Sequence, residues 1–340
     1  MSNHGGKVAT GGKQTQWHKR SHTRHRTTNE RRNVQALPLV FAFRIMFLYF
    51  VTSFRYNNLL SSEARQISKY LDRFLYHDEI TDSIRLILYV AGVITLSHLV
   101  LLWSIKKRQS SKKKEEGGST EGKRRASYAS WKDSYQLTNL IVNLFLGCLG
   151  AYFQVMRIPW DTSTTEQIVG YEGMKFFAIG QIGYQLWALP IGTFFIHEPT
   201  EMLIHHVAVV CVAQFGAFYH CGFRYFHPFF FGVVELSSVP LSIMNSFKNN
   251  DYLIGTYPLM YRAVRWVFGV TFLLVRVAFW TPLYWKFFTI GSMLLYESDL
   301  GFIGKILFTG FFFAGIVLTM LQYYWAWKII MGLAKGIKPS

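Results

Sequence analysis

Apolar residues run in long blocks along most of the chain, at residues 84–105, 136–156, 174–196, 202–220, 227–247, 263–284 and 302–327, with short polar stretches between them. A helix needs roughly 20 apolar residues to cross the hydrocarbon of a bilayer, so each block predicts a transmembrane helix. A further block at 37–54 is nearly as long but carries Arg44 inside it, and both crossing and lying in the interface remain open. Residues 59–76 predict a short amphipathic surface helix, with Leu60, Ile67, Leu71, Phe74 and Leu75 near one face. The expected fold class is all-α, a polytopic membrane helical bundle of about seven to eight transmembrane helices.

Composition agrees with that pattern: 51% of the 340 residues are hydrophobic and 17% are aromatic. The net charge of +17 suggests nucleic acid only until the charges are located. Residues 1–36 carry eight Lys or Arg against the single acid Glu30, with four histidines (His4, His18, His22, His25) and almost nothing apolar, which predicts a disordered basic tail. The segment 106–132 carries ten more. Basic stretches beside membrane spans mark the cytosolic side, so 106–132 reads as a basic cytosolic loop and 157–173, with Asp161, Glu166 and Glu172 against Arg157, as its opposite. No nucleic-acid partner is implied. If 37–54 crosses, the tail joins that loop and the C-terminal Lys328, Lys335 and Lys338 in the cytosol, and 37–83 forms a unit of its own. Anionic lipid is the expected neighbour of the basic loop, and Ser127 in Arg124-Arg-Ala-Ser127 is a regulatory candidate, because a phosphate there would weaken that attraction.

Polar residues inside the spans carry the candidate chemistry. His205 and His206 sit one turn inside an apolar block, where an unsatisfied polar group costs roughly 2–7 kcal/mol. Adjacent helical residues project about 100° apart, so the pair suits one ring in a cavity and the other at a helix interface better than a shared metal, and no metal is expected. Glu201 lies four residues before His205, within reach to orient it. Asn139 and Asn143 share a face, and Gln181 and Tyr184 follow on the next span, before Pro190, which predicts a bend. Glu235 and Ser238 lie on one polar stripe, and Arg276 is deep enough to pair with Glu235.

In combination, a helix-start acid with His205-His206, then Glu235-Leu-Ser-Ser-Val-Pro-Leu, an Arg-bearing span and a last span ending Leu321-Gln-Tyr-Tyr-Trp-Ala-Trp-Lys-Ile-Ile resemble the TLC domain over roughly residues 84–335. The family includes ceramide synthases, the ceroid-lipofuscinosis TLC protein and smaller TLC domain-containing proteins. The resemblance implies a TLC-like six-helix core, location in the endoplasmic reticulum and roles in membrane lipid composition. His205 and His206 match the family's histidines. Ceramide synthases carry Thr where this chain has Val209 and a His-Asp-x-x-Asp cluster further on; here His220 and His227 lack a following Asp, and the homeobox-like insert is missing. The Glu235 motif is similar to the non-synthase branch.

The leading expectation is therefore lipid homeostasis: a cavity lined by Glu201, Glu235, Ser238, Arg276, Asn139, Asn143, Gln181 and Tyr184 that binds, senses or moves a sphingolipid such as ceramide or a phospholipid. Under an alternative, an N-acyltransferase, His205 or His206 is catalytic and acyl-CoA is a co-substrate; otherwise no cofactor is implied. A cargo receptor or scaffold of the endoplasmic reticulum is the third reading.

Overall fold

The computed structural model describes residues 77–113, 120–158, 162–219, 222–297 and 302–337. The basic tail, the 37–54 span and the 59–76 helix lie outside the described residues. Among the described residues there is no strand, and the seven apolar blocks from 84 onward are all helical. They form α1 (His77–Lys113), α2 (Thr120–Met156), α4 (Lys175–Ile191), α5 (Thr200–Phe218), α6 and α7 (His227–Phe230 and Ser238–Lys248), α9 and α10 (Pro258–Leu273 and Trp280–Glu297) and α11 (Phe302–Ile337). Short helices α3 (Thr164–Val169) and α8 (Asp251–Thr256) sit in the connections. Among the described residues, six helical stretches are long and apolar enough to cross a membrane. The seventh, α4, is continued by a wide turn, Gly192–Ile196. The basic segment reads differently from a loop: helix continues through 106–113 and again from 120 to 132.

The spans pack both against chain neighbours and against spans distant in sequence. α4 lies against α1 and α5, α2 against α1 and α7, α9 against α7, and α11 against α5 and α10. At one end of the bundle the Phe223 amide donates to the Ile168 carbonyl at 2.8 Å, and α3 begins with a capping box in which Ser163 and Glu166 satisfy each other's backbone donors. The bonds from the Ser163 amide and hydroxyl hold the Glu166 carboxyl below its usual range. At the other end the Tyr128 hydroxyl donates to the Ile196 carbonyl at 3.2 Å, and Lys328 meets Glu201 at 3.1 Å. The first described residues of α1 lie at the same end as 157–173, since the Ser83 hydroxyl contacts the Ala217 carbonyl at 3.5 Å.

Two irregularities in the helices set the site. Pro190 leaves the carbonyl four residues earlier without its helical donor, and two residues on the chain opens into the wide turn Gly192–Ile196. A second wide turn, Leu274–Phe279, interrupts the α9–α10 span and contains Arg276. Close helix contact needs glycine at Gly150: a Cβ there would lie 2.5 Å from the Pro228 carbonyl oxygen and the Val233 nitrogen.

Candidate functional site

Residues of five elements face one another around a narrow slot, Gln181 on α4 being the contribution of the fifth. On α5 the lining residues are His205, Val209 and Val212; on α11 they are Phe311, Gly315, Leu318 and Gln322. The α9–α10 span contributes Arg276, Trp280, Tyr284 and Phe287, and the segment before α7 contributes Phe223, Phe226, Phe230, Phe231, Val234 and Glu235. On α5, on the α9–α10 span and on α11 these positions recur at three or four residues, the period of one helical face. The slot holds about 660 Å³ of space outside atoms, its open mouth included. Gln181, His205, Glu235, Arg276 and Gln322 gather toward one end, and most aromatic liners lie toward the other together with His227, whose ring nitrogens face the Met174 and Gly222 carbonyls. From Arg276 to Phe287, and again from Phe311 to Gln322, eleven residues at 1.5 Å each give a length of roughly 16 Å, about half the hydrocarbon thickness.

The polar end is built on the Arg276–Glu235 pair, at 3.4 Å, with both residues buried. Arg276 Nε donates to Ser237 Oγ at 2.7 Å, Nη2 donates to Ser238 Oγ at 3.0 Å, and Nη1 donates to Gln322 Oε1 at 3.4 Å. Glu235 Oε1 accepts from Gln181 Nε2 at 2.9 Å and Oε2 from Ser238 Oγ at 2.8 Å. Gln181 also donates to the Phe231 carbonyl at 3.2 Å, which ties α4 to the turn that presents Glu235. The two charges are thereby paired and hydrogen-bonded within the protein, as burial in a bilayer demands.

The two histidines have divided roles. His205 lines the slot, its ring lies edge-on to Trp325 at 5.3 Å, and its Nδ1 is buried with no partner. His206 points away, and its Nε2–H donates to Glu198 Oε2 at 3.1 Å. Glu198 reaches it because His197 adopts a left-handed backbone (φ 56°) between the wide turn and Pro199, folding the chain back so that the Glu198 amide donates to the Gly192 carbonyl at 2.9 Å. Gly192 leaves room for the carboxylate: a Cβ there would lie 2.8 Å from Glu198 Oε2.

Glu201, expected to orient His205, instead pairs with Lys328. The reason is geometric: at the start of α5 it faces the end of α11, where Gln322, Trp325 and Lys328 recur every three residues and meet Arg276, His205 and Glu201 in turn. Gln181, Glu235 and Arg276 line the slot, and Ser238 bonds to both charges beside it. Asn139, Asn143 and Tyr184 are buried where α2 meets α4, outside the slot's lining, with the Tyr184 hydroxyl donating to Asn139 Oδ1 at 2.8 Å. Ser127 is exposed near the start of α2. Sequence reasoning missed Glu198, His98 and Gln322. His98 is fully buried between Trp131 and Trp187, at 5.5 and 5.3 Å, with Nδ1 3.3 Å from the Thr138 hydroxyl. Its position inside an apolar block was the available signal.

Among protein families, the TLC domain matches this chain over residues 134–331, more than half its length, a range that begins within α2 and ends within α11. No curated protein and no solved structure matches it.

Proposed function

The chain belongs to the TLC-domain family, and from that premise we propose that its slot holds a membrane lipid, acyl chain in the aromatic arm and polar head at the His205 end. The observation that carries this reading is that Gln181, His205, Glu235, Arg276 and Gln322 gather at one end of the slot while, His227 apart, apolar and mostly aromatic residues line the rest. A chain in the arm removes apolar surface from competing environments, and the polar end then fixes orientation. Arg276 and Glu235 neutralise each other, so the groups left for a ligand head are the uncharged Gln322 Nε2 and the imidazole of His205. That favours an uncharged or zwitterionic head over a phosphate monoester.

The polar end lies four residues inside Glu201 on α5 and six inside Lys328 on α11, about 6–9 Å below that surface pair. With 106–132 and the C-terminus cytosolic by the positive-inside bias, the head is reached from the cytosolic leaflet of the endoplasmic reticulum, and the protein serves lipid homeostasis by binding, sensing or moving that lipid. Ceramide and phospholipids with compact heads are the candidate classes.

A second reading, N-acyl transfer from an acyl-CoA, draws on the unpaired nitrogen of His205 beside the slot. The acid that would raise the basicity of a general base is on His206 rather than His205, which is why binding is preferred. Mass spectrometry of lipids that copurify with the full chain tests the proposal. A Gly315→Leu variant, which fills the slot, is expected to lose a species that the wild type retains; identical lipid content in the two would overturn the reading. Amide formation from acyl-CoA and long-chain base that depends on His205 would replace binding with catalysis.

A further inference from the structure

Two residues at the polar end of the slot, Gln322 and His205, each hold a buried nitrogen that no protein group pairs, Nε2 and Nδ1 respectively. Gln322 is 1% exposed, and Arg276 fixes which way its amide points. A guanidinium only donates, so the atom that receives Arg276 Nη1 at 3.4 Å is the amide oxygen, and the NH2 group is the part left over. Holding Arg276 uses the oxygen alone. The NH2 group only donates, and a buried donor without a partner is a net cost to folding. His205 reaches the same end from α5. Its ring lies 5.3 Å from Trp325, one turn along α11 from Gln322, and within electrostatic reach of Arg276.

The needs of these two groups select the chemistry of a head. Gln322 requires an acceptor. In a neutral imidazole Nδ1 either donates or accepts, according to which nitrogen carries the proton, so His205 requires a partner that serves both forms. A hydroxyl has one proton and two lone pairs and meets either requirement. A ketone, ether or ester offers lone pairs alone, and an ammonium offers protons alone and would meet the charge of Arg276 as well. We propose that the head carries a hydroxyl group, that the ligand class is a neutral lipid alcohol, and that Gln322 is the residue that specifies it. Long-chain alcohols, monoacylglycerols and diacylglycerols share that chemistry, and phosphatidylcholine lacks it. The uncharged-or-zwitterionic head of the proposed function is thereby narrowed to an uncharged one.

This inference rests on the reading of the slot as a lipid site, and the probes separate the two. Octadecanol, the methyl ketone of the same chain and octadecane are titrated at matched mole fraction against the purified full chain in phosphatidylcholine nanodiscs, with displacement of a fluorescent lipid as the readout. Octadecanol is expected to bind on the order of tenfold more tightly than octadecane, the equivalent of about 1.4 kcal/mol, with the ketone between them. Gln322→Leu is expected to bind octadecane as tightly as the wild type, to bring the ketone down to the same level and to lose most of the preference for the alcohol. Because leucine leaves Arg276 one acceptor short, Gln322→Glu, which keeps an oxygen there and removes the NH2 group, is run beside it with the same expectation. His205→Phe is expected to make alcohol and ketone equal. Equal binding of octadecanol and octadecane by the wild type shows that the two groups hold water alone and overturns the inference. A ketone that matches the alcohol in the wild type overturns the hydroxyl head, and a preference undiminished in both Gln322 variants overturns the role of Gln322. Each of these outcomes leaves the lipid slot standing. If none of the three probes displaces the fluorescent lipid, the slot reading falls and this inference falls with it.

Discussion

Replacing Glu235 by Gln removes the counter-charge of a buried arginine while keeping side-chain shape. At 3.4 Å, Coulomb's law with an effective dielectric constant of about 20 gives roughly 5 kcal/mol of attraction, and losing one partner of a buried pair typically costs about 3–5 kcal/mol. Arg276→Met leaves Glu235 buried and is expected to cost a similar amount. In the double variant neither charge remains. Ser237 still donates to the Val234 carbonyl and Ser238 keeps the carboxamide as a partner, so the residual loss is the Gln322 bond and some packing. The double variant is therefore expected to be milder than either single one, with a coupling of about 3 kcal/mol or more. Thermal unfolding of the purified chain in detergent reads this out: each single variant should lose on the order of 10 °C and the double variant clearly less. A double variant whose loss equals the sum of the two single losses would refute the pairing and the neutral head that follows from it.

The two histidines should behave differently. His206→Phe strands the Glu198 carboxylate and should lower stability by about 2–3 kcal/mol, whereas His205→Phe should leave stability within about 1 kcal/mol and change lipid retention; equal unfolding temperatures for the two variants would contradict the division. Gly192→Ala pushes a methyl against Glu198 Oε2 and should reproduce the stability loss of Glu198→Gln in the same unfolding assay, with little added when the two are combined. Gly150→Ala drives a methyl into backbone atoms of the Pro228–Val233 segment and should abolish the folded yield on size-exclusion chromatography. By contrast Gly92→Ala, with nothing within 4 Å, should stabilise α1 by roughly 0.5–1 kcal/mol.

The spans were legible because hydrocarbon thickness fixes the length of an apolar run, and the Glu235–Arg276 pair because charges inside such runs have few places to go. The division between His205 and His206 followed from the 100° step between neighbours, but which ring faced the slot required the neighbouring helices. Glu198 was hidden because eight residues separate it from His206, beyond any helical contact; a left-handed His197 brings it back, and that conformation leaves no periodic trace. Asn139, Asn143 and Tyr184 were grouped with the cavity because polarity inside a span shows that a residue is partnered without saying by whom. The aromatic arm was the least legible part. Phe223 and Phe287 fall outside the apolar blocks and Phe311 inside the last one, and only the meeting of several elements makes them a slot.

The most direct test of the lipid slot is photocrosslinking with a long-chain lipid that carries a diazirine at the end of its tail, followed by peptide mapping of the adducts. The account predicts adducts on the aromatic arm, at Phe223, Phe287 and Phe311, that disappear when unlabelled lipid competes or when Gly315→Leu fills the slot. Adducts confined to the outward-facing residues Leu88, Leu96, Trp103 and Phe145, unaffected by Gly315→Leu, would contradict it.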